Sequence, residues 1–264
     1  MQFMTMGRKG APAVLLIHGM LSSGDDPLTF GKYLADGYYV ISPTLDGHGD
    51  DGSELVSAQQ EAQNITAYLK DEQITSLALI QGSSMGAEVA LAVADQCRRK
   101  GISVGRCFFD GGPFFDFPSV RRYFMRLVFR HLIKAFEGDP DKVFDKLNRN
   151  MFVKFVARDK LRDYGPILRS IAGKRRTFTD STVDGMVETC YHCKLPVFTH
   201  EEQRSFVFFF SLDEPARQSK PRLKKAYPNA VYRDVRGYAH CSLQFTRPKT
   251  YAKLLRQVME NKEI

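Results

Sequence analysis

Short runs of consecutive apolar residues alternate along this chain with longer stretches whose apolar positions follow a helical period. Ala13–Ile17, Tyr38–Ser42, Ser76–Gln81, Val104–Asp110, Phe206–Leu212 and Ala230–Val235 read as strands. Pro27–Asp36, Ser53–Lys70, Met85–Lys100, Ala216–Tyr227 and Ser242–Asn261 read as helices, with Ser53 as the N-cap of the second. Strands that are apolar at nearly every position bury both faces. Alternating with helices, they predict an α/β fold: a mostly parallel central sheet with helices on both faces.

The alternation breaks between Phe114 and Thr199, where several helices and no clear strand are expected. This predicts a helical cap, residues 114–200, inserted into a core made of residues 1–113 and 201–264. Arg122, Arg126, Arg130 and Lys134 recur every fourth residue, so they share one face of a helix expected over Arg121–Phe136. Phe124, Met125, Leu127, Val128, Leu132 and Ile133 fill the rest of its surface.

A 264-residue chain suffices for a core domain with such an insertion. No stretch approaches the ~20 apolar residues of a spanning helix, and Ala13–Ile17 is too short for a signal-peptide core. A cytoplasmic location is therefore expected. The five cysteines are odd in number and irregularly spaced, which does not suggest a disulfide framework. Cys190 and Cys193 form a single CxxC with no second pair nearby, so they read as buried thiols rather than a metal site, and no cofactor is expected.

The net charge is +8, and residues 114–200 hold 17 Lys+Arg against 10 Asp+Glu. The basic character thus belongs to the cap. It could attract an anionic substrate, rest against an anionic membrane surface, or simply be solvated. No zinc-finger, RNP-like or helix-turn-helix signature accompanies it, which argues against a nucleic-acid partner.

The chemistry concentrates at Gly82-Ser83-Ser84-Met85-Gly86, between an expected strand and an expected helix. A serine at such a sharp turn needs very small residues two positions before and after it, and Gly82 and Gly86 supply them. Ser84 is the candidate nucleophile. Its hydroxyl needs a base, and the base needs an orienting acid. His240, in the loop after the last expected strand, is the candidate base. For the acid, Phe206–Leu212 ends at Asp213-Glu214-Pro215, and Asp213 is preferred over Glu214 as the nearer to the strand end. Asp110, at the end of the preceding strand, is the alternative acid. The oxyanion formed on acyl transfer needs two backbone N–H donors, assigned to Met85 and to Met20 in the loop His18-Gly19-Met20. His18 is expected to brace that loop.

These residues resemble the α/β-hydrolase superfamily over nearly the whole chain. Leu15-Leu16-Ile17-His18-Gly19 is similar to its oxyanion strand and HG turn. Pro43-Thr44-Leu45-Asp46-Gly47-His48-Gly49 resembles a loop of its esterase, lipase and C–C hydrolase branches, in which Asp46 and His48 are structural. Gly237-Tyr238-Ala239-His240 resembles its G-x-x-H segment, whereas Phe210 replaces the glycine of the family's G-x-x-D before Asp213. The resemblance implies a serine hydrolase with the chain order Ser84, Asp213, His240, and places the cap at the family's habitual insertion site.

The leading expectation is hydrolysis of a small-molecule carboxylic ester through an acyl-enzyme, in an apolar or aromatic pocket. Nine of the 20 phenylalanines lie between Phe114 and Phe155, either around that pocket or in the cap's own core. One alternative is a thioesterase or C–C bond hydrolase acting on an anionic substrate. The other is a non-catalytic ligand-binding member of the fold.

Overall fold

The computed structural model describes residues 1–134 and 178–261, together with Lys142, Asp145, Lys146, Arg149, Met151 and Lys154. The rest of the predicted cap, including Phe136, Phe144, Phe152 and Phe155, lies outside the described residues.

The strands are β1 (Gln2–Met6), β2 (Ala13–Ile17), β3 (Tyr39–Thr44), β4 (Ser76–Ser83), β5 (Ser103–Asp110), β6 (Phe206–Ser211) and β7 (Val231–Val235). They form one seven-stranded sheet in the order β1-β3-β2-β4-β5-β6-β7. Every neighbouring pair is parallel except β1 with β3. The helices are α1 (Asp25–Gly31), α2 (Ala58–Asp71), α3 (Met85–Lys100), α4 (Ser119–Lys134), α5 (Asp180–Tyr191), α6 (His200–Gln203), α7 (Lys220–Ala226), α8 (Ser242–Thr246) and α9 (Pro248–Met259). No helix among the described residues is long and apolar enough to cross a membrane.

Alternate residues of the central strands feed two cores. Leu15, Ile17, Phe109 and Phe208 face one side of the sheet, with Ile65 of α2, Val89 of α3 and Val183 of α5. Val14, Leu16, Phe108 and Phe209 face the other, with Phe30 of α1 and Tyr251 and Leu255 of α9. This double burial is why the strands read as continuous apolar runs. α3 is buried over most of its length because it lies between the sheet, α2 and α5.

Several expected boundaries shift for local reasons. β3 runs through Pro43 to Thr44, with Pro43 opposite Phe3 of the unanticipated edge strand β1. Ser57, not Ser53, caps α2, accepting the Gln60 N–H at 3.2 Å. Ser53 instead donates to Asp51 and accepts from Gly47 N–H. The expected final helix is split into α8 and α9 at Arg247, whose φ of −139° and ψ of 62° lie outside the α region. Pro248 follows it, and a residue before proline is disfavoured in the α conformation. Pro215–Ser219 forms a 3₁₀ turn ahead of α7.

Between β5 and β6 lie α4, α5 and the short α6. α4 packs on α5, and α5 on α3. The basic stripe of α4 meets an acidic stripe on α5. Arg122 and Arg126 both pair with Glu188, and Arg130 pairs with Asp184 at 2.9 Å and Asp180 at 3.2 Å. The apolar residues Val120, Tyr123, Phe124, Leu127 and Val128 are the exposed ones. Because α5 carries carboxylates at the matching helical spacing, Arg122, Arg126 and Arg130 are paired across the two helices rather than simply solvated.

Candidate active site

β4 lies at the centre of the sheet and delivers Ser84 to the position just before α3. Ser84 has φ 53° and ψ −124°, a strained conformation for a side-chain-bearing residue. The flanking glycines are sterically required. A Cβ on Gly82 would lie 2.1 Å from the Gly86 carbonyl oxygen, and one on Gly86 would lie 2.3 Å from that of His18. The Ser84 N–H donates to the Asp110 carbonyl at 2.7 Å, tying the turn to the end of β5.

His240 follows β7. Its loop is held by the Ala239 N–H donating to Ser242 Oγ at 2.9 Å, and by Ser211 Oγ donating to the Ala239 carbonyl at 2.9 Å. Gly111, at φ 63°, leaves room for the imidazole, since a Cβ there would come 2.9 Å from the ring. Ser84 Oγ lies 2.9 Å from His240 Nε2, and His240 Nδ1 lies 2.5 Å from Glu214 Oε2. With Glu214 ionised, Nδ1–H donates to the carboxylate and Nε2 accepts from the serine hydroxyl. Burial opposes a charge on the imidazole. The hydrogen bond and charge of Glu214, with the charge of Asp110, outweigh it and raise the His240 pKa above 6.5.

The acid preferred from the sequence is corrected here: the carboxylate on His240 belongs to Glu214, not Asp213. The chain turns tightly after β6, with the Glu214 N–H donating to the Ser211 carbonyl and Glu214 Oε1 accepting the Ser211 N–H at 2.7 Å. That turn carries Glu214 inward, where its side chain is 1% exposed, and leaves Asp213 exposed. Pro215 was the available signal. It holds Glu214 extended, at φ −76° and ψ 144°, and so ends the turn at that residue.

Asp110, the alternative acid, is buried beside the relay but accepts from Tyr251 Oη at 2.8 Å. Burial and the nearby charge of Glu214 push its carboxyl up to about 7, against the Tyr251 hydrogen bond. Beneath the nucleophile turn, Gln81 donates to both Tyr251 Oη and Ser83 Oγ, and Ser83 Oγ donates to Gln244. Tyr251 and Gln244 lie 170 and 161 residues from their partners here and were not anticipated.

His18 links its own loop to the loop after β3. Nδ1 donates to the Gly19 carbonyl at 2.8 Å, and Nε2 accepts the Leu45 N–H at 3.0 Å. Gly19 lies against the nucleophile, since a Cβ on it would sit 3.2 Å from Ser84 Cβ. Met20 follows it, and Met85 opens α3 immediately after Ser84. His48 Nδ1 donates to the Asp46 carbonyl at 3.0 Å, within its own loop. Cys190 and Cys193 are buried thiols whose pKa values burial raises.

The chain belongs to the alpha/beta hydrolase family, whose model matches residues 14–254. Solved structures with the same fold include an alpha/beta hydrolase family protein from Desulfitobacterium hafniense. It is 18% identical, covering 98% of this chain and 100% of that one, with a TM-score of 0.75. A thermophilic esterase from Thermogutta terrifontis is 14% identical over 98% and 93% of the two chains, with a TM-score of 0.73. A meta-cleavage product hydrolase from Pseudomonas fluorescens IP01 is 15% identical over 98% and 93%, with a TM-score of 0.69. Comparison with curated protein sequences gave no significant match.

Proposed function

We propose that this hydrolase cleaves a small-molecule carboxylic ester through an acyl-enzyme formed on Ser84. The observation that carries the reading is the continuous relay from Ser84 Oγ through His240 to Glu214. Its tautomer suits the chemistry, because Nε2 is left to accept the serine proton.

In this reading Ser84 Oγ attacks the ester carbonyl carbon as its proton passes to His240 Nε2. The C–Oγ bond forms, and the carbonyl electron pair moves onto oxygen. The backbone N–H groups of Met20 and Met85 receive that oxyanion, each contributing about 3 kcal/mol to the transition state. Collapse expels the alkoxide, which takes the proton from His240. Water then repeats the sequence at the acyl carbon, and the carboxylic acid leaves. Glu214 stays ionised throughout and stabilises the imidazolium. The segment between β5 and β6, to which α4 and α5 belong, is taken as the cap, and described aromatic residues such as Phe115, Phe117 and Tyr191 support a preference for an apolar acyl group.

A buried, fully assembled relay supports catalysis over the non-catalytic ligand-binding alternative. A thioester or C–C substrate would use the same residues, so substrate series rather than geometry separates these chemistries. The test is pre-steady-state hydrolysis of p-nitrophenyl esters of increasing acyl length, with neutral and anionic members. The expected result is a burst of p-nitrophenolate stoichiometric with enzyme, absent in Ser84→Ala. Turnover undiminished in Ser84→Ala would overturn the assignment.

A further inference from the structure

Three rings form a ladder from the start of α5 to the loop that carries Met20. The His18 and His48 rings lie 5.1 Å apart, and His48 meets Phe178, just ahead of α5, edge to face at 5.4 Å. Both histidines are buried, and Phe178 packs against the core. α5 is itself seated on the chain around His48. Gly47, at φ 72°, lies so close that a Cβ would sit 2.5 Å from Thr182 Oγ1, and a Cβ on Gly185 would sit 1.9 Å from the Leu55 carbonyl oxygen. Packing this tight passes a shift of one element on to the next.

At its other end the ladder reaches a strained loop. Leu21, next to Met20, has φ 64° although it carries a buried, branched side chain. Such a conformation persists only where the surroundings over-determine it. His18 supplies part of that constraint through the Gly19 carbonyl and the Leu45 N–H. Leu45 is joined in turn to His48, whose N–H donates to the Leu45 carbonyl at 3.0 Å. Gly19 has little room to move toward the nucleophile turn, since a Cβ on it would sit 3.0 Å from the Ser83 carbonyl oxygen.

We propose that His48 and Phe178 are positioning residues for the oxyanion step: their rings hold residues 45–48 against His18 and so fix where the Met20 N–H points relative to Ser84. This rests on the ester-hydrolase reading above, with Met20 as an oxyanion donor. Both residues act through His18 rather than on the substrate. Without the Phe178 ring, His48 loses a wall, the Leu45 contact to His18 slackens, and the donor leaves its line. Removing an oxyanion donor outright costs about 10²–10³ in rate, so displacing one is expected to cost about tenfold or more.

The test compares wild type, Phe178→Ala, His48→Asn and the double variant in p-nitrophenyl acetate hydrolysis and in inhibition by methylboronic acid. His48→Asn removes the ring while keeping a donor for the Asp46 carbonyl. Methylboronic acid has almost no acyl body to touch α5. On binding, Ser84 Oγ bonds to boron as its proton passes to His240, and one boron-bound oxygen takes the oxyanion position. In each single variant kcat/KM is expected to fall at least about tenfold, and the inhibition constant to rise by a similar factor. The double variant should lose little more than the worse single one, because both act along one path. The fraction of molecules finally labelled by a fluorophosphonate counts competent sites and should stay at the wild-type level. Should His48→Asn fail to fold, Phe178→Ala, at a partly buried position, decides alone. Unchanged kcat/KM, a fall in kcat/KM with an unchanged inhibition constant, or a loss explained by fewer labelled sites would overturn the inference and leave the ester-hydrolase reading standing. A wild type that neither hydrolyses the ester nor is labelled would overturn both.

Discussion

Replacing Glu214 by Gln keeps the side chain's shape, removes its charge and, given the neighbouring hydrogen bonds, reverses the histidine. Glu214 Oε1 accepts the Ser211 N–H at 2.7 Å, so in Glu214→Gln the amide oxygen is needed there. The amide NH2 then faces His240 Nδ1 and donates to it. The imidazole must carry its proton on Nε2, where it cannot accept from Ser84. A reversed tautomer in an otherwise intact relay costs about 10⁴ in rate, or about 5 kcal/mol. The charge has a second effect. Glu214 helps to hold the His240 pKa above 6.5, and the base works only when neutral. Removing the charge lowers that pKa, so the acid limb of kcat/KM moves to lower pH as the plateau falls. Asp213→Asn, at an exposed position, should stay within about twofold of wild type and leave the acid limb unmoved. The assay is the pH profile of kcat/KM for a p-nitrophenyl ester with all three proteins. A collapse in Asp213→Asn with Glu214→Gln near wild type would refute the reasoning.

Three further outcomes are expected. Gly82→Ala brings a Cβ to 2.1 Å from a backbone oxygen, whereas Gly52→Ala meets nothing within 4 Å and bears only the strain of a φ of 70°. Urea denaturation should show a loss of about 3 kcal/mol or more for the first and about 1 kcal/mol for the second; equal losses would contradict the turn sterics. Glu61 is buried and accepts the Asp46 N–H, and burial, with the charge of Asp46, pushes its carboxyl up to about 8 from 4.5. Its raised folded pKa favours the fold fully below 4.5 and loses that contribution as pH rises to about 8. Glu61→Gln should therefore gain stability relative to wild type across that window, by up to about 4 kcal/mol in urea melts at pH 8.5 against pH 4.5. A pH-independent difference would contradict the shift. Glu188→Gln removes the partner of Arg122 and Arg126 at partly exposed positions, so it should cost about 1 kcal/mol at low salt and less at high salt. A salt-independent loss would show that packing, not charge, dominates there.

The sheet was legible because its strands are buried on both sides. Leu15-Leu16-Ile17 and Phe208-Phe209 have no polar face to disguise them. The half-exposed edge strand β1 carries no such run and was missed. Ser84 and His240 could be read because each is fixed by its own short segment: two glycines around a turn, and a loop after a strand. The acid could not be read by distance along the chain. The turn from Ser211 to Glu214 decides which neighbouring carboxylate points inward, and that depends on Pro215 and on hydrogen bonds rather than on proximity to the strand end. The α4 arginines show the same limit. Their shared helical face was apparent, but their partners on α5 lie 50 or more residues away.

The most direct test of the central claim is mass spectrometry of the protein after reaction with a fluorophosphonate probe. The account predicts one phosphonyl adduct, on the peptide containing Ser84, that disappears in Ser84→Ala and forms far more slowly in His240→Ala. An unlabelled wild type, or an adduct that persists in Ser84→Ala, would contradict it.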